Sequence, residues 1–332
     1  GDPLIAHRRW HWTVMLAALL AVSTLALTTG VIHIPLTHVA GALRGDADPA
    51  TLSIVRNLRL PRILLGVLVG VGLGMSGGAL QGALRNGLAE PYLLGVSGGA
   101  AVGAVIAFAF GLAAPGAIAI AAFAGALGAV LLALIVARAA GNAGRGDPRT
   151  LLMAGVVIGA FANAVIMIAL ANAPANTIRG ALWWMMGSVA DSTWTSLPWV
   201  AAFVSAGGML LILWARDIDL LALGDDAAAS LGVNVEASTR RIYMLAALLA
   251  AATVASAGLI GFVGLIVPHI ARAFGIRHHR PLIIASALIG ATLVVAADLV
   301  ARTIRPPGEL PLGAVTAVLG VPFFLAQLRK AR

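Results

Sequence analysis

Residues 63–84 carry no charge, and that run sets the solvent in which this chain can fold. About 20 residues of helix cross the hydrocarbon layer of a bilayer. The segment held between Arg62 and Arg85 therefore predicts a membrane-crossing helix. Gly66, Gly70, Gly74 and Gly78 recur within it every four residues. On a helix they form one smooth stripe. Small residues let helices approach closely in lipid, where hydrophobic burial cannot drive association. The pattern predicts a helix packed inside a bundle rather than a lone anchor.

The rest of the chain carries the same message. Of its 332 residues, 60% are hydrophobic and 11% charged, against about a quarter charged in a soluble domain. Its mean hydropathy is +0.98. Uncharged runs recur too often to leave room for a soluble domain, so residues 1–332 read as a single transmembrane domain. The net charge of +9 comes almost wholly from arginine. On a soluble protein such charge would suggest nucleic acid. Here the cations flank apolar runs, as in membrane proteins, and no nucleic-acid partner is expected. Cysteine is absent, which excludes disulfides, thiolate metal sites and a cysteine nucleophile. Arg8 and Arg9 precede an apolar run from Val14 without a convincing small-residue cleavage site. That run reads as a first span, not a signal peptide.

The predicted fold is an all-α polytopic membrane protein with about ten transmembrane helices. The spans fall at 12–32 and 63–84, then two within 91–137 divided at Pro115-Gly116, then 151–171, 197–214 and 242–257. A short eighth span follows a bend at Gly258, Gly261 and Gly264 and reaches Phe274; the last two are 282–299 and 312–328. Residues 175–188 read as an interfacial helix, with Trp183 and Trp184 at headgroup level. An even number of spans puts both termini on one side. Assigning that side to the cytoplasm leaves most cations inside, as the positive-inside rule requires. Arg44, Arg56, Arg59, Arg62, Arg179, Arg302 and Arg305 remain outside and need a reason. A faint internal echo links the helix starting at Arg62, which reaches Ser76-Gly77-Gly78, with the one starting at Arg241, which reaches Ser256-Ala257-Gly258. Opposite starting sides are the mark of an inverted repeat in transporters.

Chemistry is scarce in the spans. No glycine loop with Lys and Ser or Thr could cradle a nucleotide, and no His and Glu pair has metal-ligand spacing. Asp298 and His269 read as isolated titratable groups without a charged partner at helical spacing. His269 could ligate a metal or bond a carbonyl, and the second is preferred; Met185 and Met186 are read as packing rather than soft ligands. No catalytic centre is predicted, and an ion-driven secondary transporter would need intramembrane charges that are nearly all missing. The segment 216–241 is the best candidate for a partner site. Asp225 and Asp226 suit the positive end of a helix dipole, Ala227 to Leu231 continue the helix, and Gly232 can end it in a left-handed cap.

Several ordered motifs then resemble a known family. They are Arg59-Leu60-Pro61-Arg62, Ser76-Gly77 with Gln81, Asn86-Gly87-Leu88-Ala89-Glu90-Pro91 and Leu94-Gly95-Val96-Ser97-Gly98-Gly99. Leu223-Gly224-Asp225, Leu231-Gly232-Val233, the run from Gly258 through Pro268-His269 to Arg272, and Glu309-Leu310-Pro311-Leu312-Gly313 complete the set. The chain resembles the FecCD, or cobalamin-permease, family: transmembrane subunits of type II ABC importers for haem, iron-siderophores or cobalamin. Where the family usually has Asn-Pro, this chain has Asn86-Gly87.

The resemblance implies an inverted-repeat permease fold working as a homodimer, with two ATPase subunits on the cytoplasmic face and a periplasmic substrate-binding protein outside. It implies no cofactor on this chain, with ATP and Mg on the partner subunit, and no enzymatic activity of its own. By position, Asp225, Asp226, Ala229, Leu231 and Gly232 would couple to the ATPase. Asn86, Leu88, Asp147 and Arg149 would form the cytoplasmic gate. Arg59, Arg62, Arg302 and Arg305 would receive acidic residues of the binding protein. Haem is the favoured cargo, with ferric siderophore and cobalamin as alternatives, and the bacterial inner membrane is the expected location.

Overall fold

A computed structural model describes residues 3–112, 114–139 and 148–330. The described residues are helical throughout their regular structure. In chain order the helices are α1 (Pro3–Thr28), α2 (Leu36–Arg44), α3 (Pro49–Leu52), α4 (Leu60–Ala83), α5 (Val96–Ala109), α6 (Pro115–Ala139), α7 (Pro148–Ala171) and α8 (Ala175–Met185). Then come α9 (Leu197–Leu213), α10 (Ala215–Leu221), α11 (Asp225–Ser230), α12 (Val235–Ala257), α13 (Val263–Ala273), α14 (His279–Thr303) and α15 (Leu312–Lys330).

Among the described residues, 6 helices are long and apolar enough to cross a membrane: α1, the run from α3 through α4, α6, α7, α12 and α14. A seventh forms if α9 and α10 count as one span bent by 53°. The other three expected crossings, α5, α13 and the front of α15, are apolar but shorter. At about 1.5 Å rise per residue, the 11-residue α13 reaches only part of the way across. The structure also departs from the expected spans at the first connection. The chain leaves α1 at Thr28 and folds α2 and α3 over a small core of Ile34, Val39, Ala42 and Val55. It enters α4 through a π-helical turn, Ser53–Arg59.

The glycine stripe explains the centre of the bundle. A methyl group on Gly70 would strike the Gly290 carbonyl, and one on Gly74 the Ser286 carbonyl. Those carbonyls belong to α14, so α4 and α14 meet backbone to backbone. On other faces of α4, Gly77 lies against Gly264 of α13, and a methyl on Gly72 would come within 2.6 Å of Thr253 Cγ2 of α12. Ser76 Oγ donates to the Ala246 carbonyl of α12 at 2.8 Å. Thus the two helices of the internal echo, α4 and α12, touch along their length. By contrast, Gly261 has nothing within 4 Å of its Cβ position, so no close helix approach explains it. Leu16 and Leu20 on α1, Ile120 and Ile135 on α6, and Phe161 and Ile168 on α7 point outward, the arrangement lipid requires.

Between α12 and α13 the chain unwinds over residues 258–262, where Gly258 and Phe262 both have φ of 68°. Lipid-exposed backbone of this kind is not tolerated, so its polar groups need protein partners. Ser188 N donates to the Ala257 carbonyl at 2.8 Å, and a methyl on Gly187 would meet the Leu259 carbonyl. From the other side, the Glu90 carboxylate accepts from Phe262 N at 2.7 Å and Tyr92 Oη accepts from Ile260 N at 2.9 Å.

Candidate coupling and gate site

The inner site is built where α4 ends. Its last turn closes with Arg85 N and Asn86 N donating back to Gly82 and Gln81 carbonyls at 3.1 Å. Arg85 takes φ of 50°, a left-handed conformation that glycine or asparagine adopts more readily. Asn86 Oδ1 then accepts from Leu88 N at 2.9 Å, and Asn86 O accepts from Ala89 N at 3.0 Å. The turn leaves Leu88 49% exposed and Ala89 fully buried. Asn86 and Leu88 are the two members of the expected gate whose side chains are described. Asp147 lies outside the described residues, as does the side chain of Arg149.

Next to this turn stands the predicted docking helix. Gly224, at φ of 110°, breaks the chain after α10, and Gly232, at φ of 87°, ends α11 as a left-handed cap. Asp225 and Asp226 open α11, as their charge favours. Ala228 is buried against the bundle, while Asp226, Ala229 and Leu231 face solvent, with Leu223 65% and Leu231 55% exposed. Exposed leucines on a short projecting helix are suited to insertion into another protein's groove. Asp225 does not face a partner freely: its Oδ1 lies 2.9 Å from Arg85 Nη2.

Further bonds fasten this segment to the spans. Ser238 Oγ of α12 donates to Asp217 at 2.5 Å. Asp219 Oδ1 accepts from His279 N at 2.9 Å and lies 2.7 Å from His279 Nδ1, so α10 caps the start of α14. Asn234 Oδ1 caps α12 by accepting from Ala237 N at 3.0 Å.

Just above the turn, α13 contains Pro268. Proline has no N–H, so the carbonyl four residues back loses its helical donor. That carbonyl is Gly264, and Gln81 Nε2 supplies the missing donor at 3.3 Å, and also donates to Leu265 at 3.1 Å. Gln81 Oε1 accepts from Arg272 Nη1 at 2.6 Å. His269 Nδ1 lies 2.9 Å from the Leu265 carbonyl, the carbonyl-bonded arrangement preferred from sequence.

At the opposite end of α4 the expected docking arginines are placed differently from expectation. Arg59 is 6% exposed and donates to the Leu27 carbonyl at 2.5 Å and to the Ile32 carbonyl. Arg62 forks onto two carboxylates. Its Nη2 is 2.8 Å from Asp298 Oδ1 and its Nη1 2.7 Å from Glu309 Oε1. Arg302 is also 6% exposed, and its Nη2 donates to the Ala26 carbonyl at 2.6 Å. These three are committed inside the subunit, because a buried cation needs partners where water cannot reach it. Of the four, only Arg305 is solvent-exposed. Asp298 is likewise not isolated: it takes Arg62 from α4 and has Arg302 Nε 3.7 Å away, one helical turn along. The hydrogen bonds from Arg62 hold the Glu309 carboxyl below its usual range.

Comparison with known proteins follows the same lines. The FecCD transport family profile matches residues 18–330. The hemin transport system permease HmuU of Yersinia pestis is 39% identical over 294 residues, covering 86% of this chain and 86% of that protein. The cobalamin import system permease BtuC of Halobacterium salinarum is 39% identical over 280 residues, covering 83% of this chain and 73% of that protein. A solved structure described as an inward-facing metal-chelate type ABC transporter superposes with a TM-score of 0.85 at 27% identity, covering 96% of this chain and 98% of that one.

Proposed function

The chain belongs to the FecCD transport family, and on that premise we propose that it is the permease through which an ATP-driven importer moves haem from periplasm to cytoplasm by alternating access. It is a multi-pass membrane permease of an ABC importer for metal chelates, and the ATPase of such a system is a separate subunit. In our reading two copies form a homodimer in the bacterial inner membrane, with both termini in the cytoplasm and the pathway along the dimer axis. Two ATPase subunits, carrying ATP and Mg, grip the face that holds α11. A periplasmic binding protein delivers cargo to the face that holds Arg305.

The observation that carries this reading is α11 itself. A helix of 6 residues flanked by exposed Leu223 and Leu231 has no packing role of its own outward. Its ion pair with Arg85 at the end of α4, and the bonds of the preceding α10 to α12 and α14, make the segment a handle on the spans. Haem is placed first because the sparsely charged spans suit an amphipathic macrocycle; the matched relatives include hemin, cobalamin and Fe(3+)-citrate permeases alike. Ferric siderophore and cobalamin are the alternatives. Of the expected docking arginines, Arg305 is the one free to meet an acidic residue of the binding protein.

The test is reconstitution in liposomes with the partner ATPase and binding protein. Haem should accumulate only with ATP inside the ATPase-facing compartment, and omission of the ATPase should abolish uptake. Uptake driven by an ion gradient alone would refute the proposal.

A further inference from the structure

We propose that residues 85–92 are the link that carries motion of the docking helix α11 to the unwound segment 258–262, with Arg85 and Glu90 as positioning residues at its two ends. The inference rests on the permease reading above and assigns the residues that transmit force within it.

Both ends of this short stretch are marked in the backbone. Arg85 and Phe262 are the non-glycine residues with positive φ among the described residues, at 50° and 68°. Such conformations are strained for residues with a Cβ and persist only where the surroundings impose them. At both residues the backbone sits beside a contact of the link. Arg85 reaches Asp225, the first residue of α11, at 2.9 Å. Glu90 accepts from the N–H of Phe262 itself at 2.7 Å.

Between the ends there is little slack. The Asn86 side chain ties the turn to Leu88, and Ala89 N returns to Asn86 O at 3.0 Å. Pro91 packs on α13, where a methyl on Gly264 would come within 2.7 Å of Pro91 Cδ. Tyr92 then holds Ile260 N at 2.9 Å. Glu90 and Tyr92 therefore serve two amides that the interrupted helix leaves without helical acceptors.

The contact at α11 is also of a suitable kind. The side chains of Arg85 and Asp225 are 37% and 46% exposed, so their attraction is screened and adds little to stability. A contact that contributes little to holding the fold, made by a strained residue on a docking element, fits a transmitting role better than a structural one.

The experiment uses the complete complex of permease, ATPase and binding protein in liposomes. It reads three quantities: ATPase retained on the permease, ATP hydrolysed, and cargo taken up. Arg85→Gly removes the guanidinium while suiting the positive φ, so the fold should not suffer. It should retain the ATPase yet lower uptake per ATP by about fivefold, the upper end for a screened pair. Arg85→Asp should do the same, and adding Asp225→Arg to it should restore most of the ratio. Glu90→Gln, which keeps an acceptor for Phe262, should behave nearly as the unaltered protein, whereas Glu90→Leu should not. Hydrogen exchange at Ile260 and Phe262 should respond to ATP in the unaltered complex and not in Arg85→Gly. An unchanged uptake-to-ATP ratio in Arg85→Gly, or an intact ATP response at residues 258–262 in that variant, would overturn the link while leaving the permease reading in place. Absence of ATP-driven uptake by the unaltered complex would instead overturn the permease reading, and the link with it.

Discussion

Arg62 donates to two carboxylates at once, and its burial sets the consequence of losing either. Its side chain is 12% exposed, that of Asp298 5% and that of Glu309 34%. Removing one partner of a buried pair leaves an uncompensated charge and costs about 3–5 kcal/mol. Asp298→Ala should therefore destabilise the protein by about that amount in detergent thermal unfolding, since it removes the buried carboxylate that lies beside both Arg62 and Arg302. Glu309→Gln should cost much less, because water reaches that end of the fork. Docking divides along the same line. Arg305→Glu should weaken binding-protein affinity at low salt, while Arg59→Gln should act on stability and leave affinity at low salt largely unchanged. Part of this stands in the sequence, because Arg302 lies one helical turn beyond Asp298, a spacing that the reading of Asp298 as isolated missed. The 236 residues that separate Arg62 from Asp298 hide the other half. A list of cations on one side of a membrane counts charges and says nothing of which are already paired. Glu90 was hidden differently: beside Pro91 it reads as a loop edge, and only the unwound segment folded against it reveals its use.

At the scale of elements, long uncharged runs and glycine spacing were the strongest signals. The stripe from Gly66 to Gly78 named the packed helix, and the glycines from Gly258 marked the bend before α13. What spacing could not supply was the identity of the neighbour, since Gly70 and Gly74 meet α14 while Gly77 meets α13. Gly74→Val should be poorly tolerated, destabilising by more than the usual 1–3 kcal/mol of overpacking, because the obstacle is a main-chain carbonyl rather than a side chain that can turn away. Yield of folded protein and its unfolding temperature will report this. The cap formed by α2 and α3 was illegible because residues 29–59 lack the long apolar period of a span. Its core of four residues is too small to register as a run. Gln81 follows a general rule: a proline within a helix calls for a polar side chain near the carbonyl it leaves bare.

For the whole molecule, the surface proposed to couple to the ATPase is the one carrying α11. Leu231→Asp puts a charge where an apolar side chain is offered. It should reduce cargo uptake by about tenfold or more without unfolding the spans, as loss of a central apolar anchor does at other interfaces. Transport assays alongside circular dichroism will separate the two effects. The backbone contact between α4 and α14 bears on how such a machine can change shape. Two rods whose carbonyls rest in each other's glycine notches are meshed like gear teeth. Shifting them by less than a full tooth forces atoms to overlap, so the pair must swing as one lever.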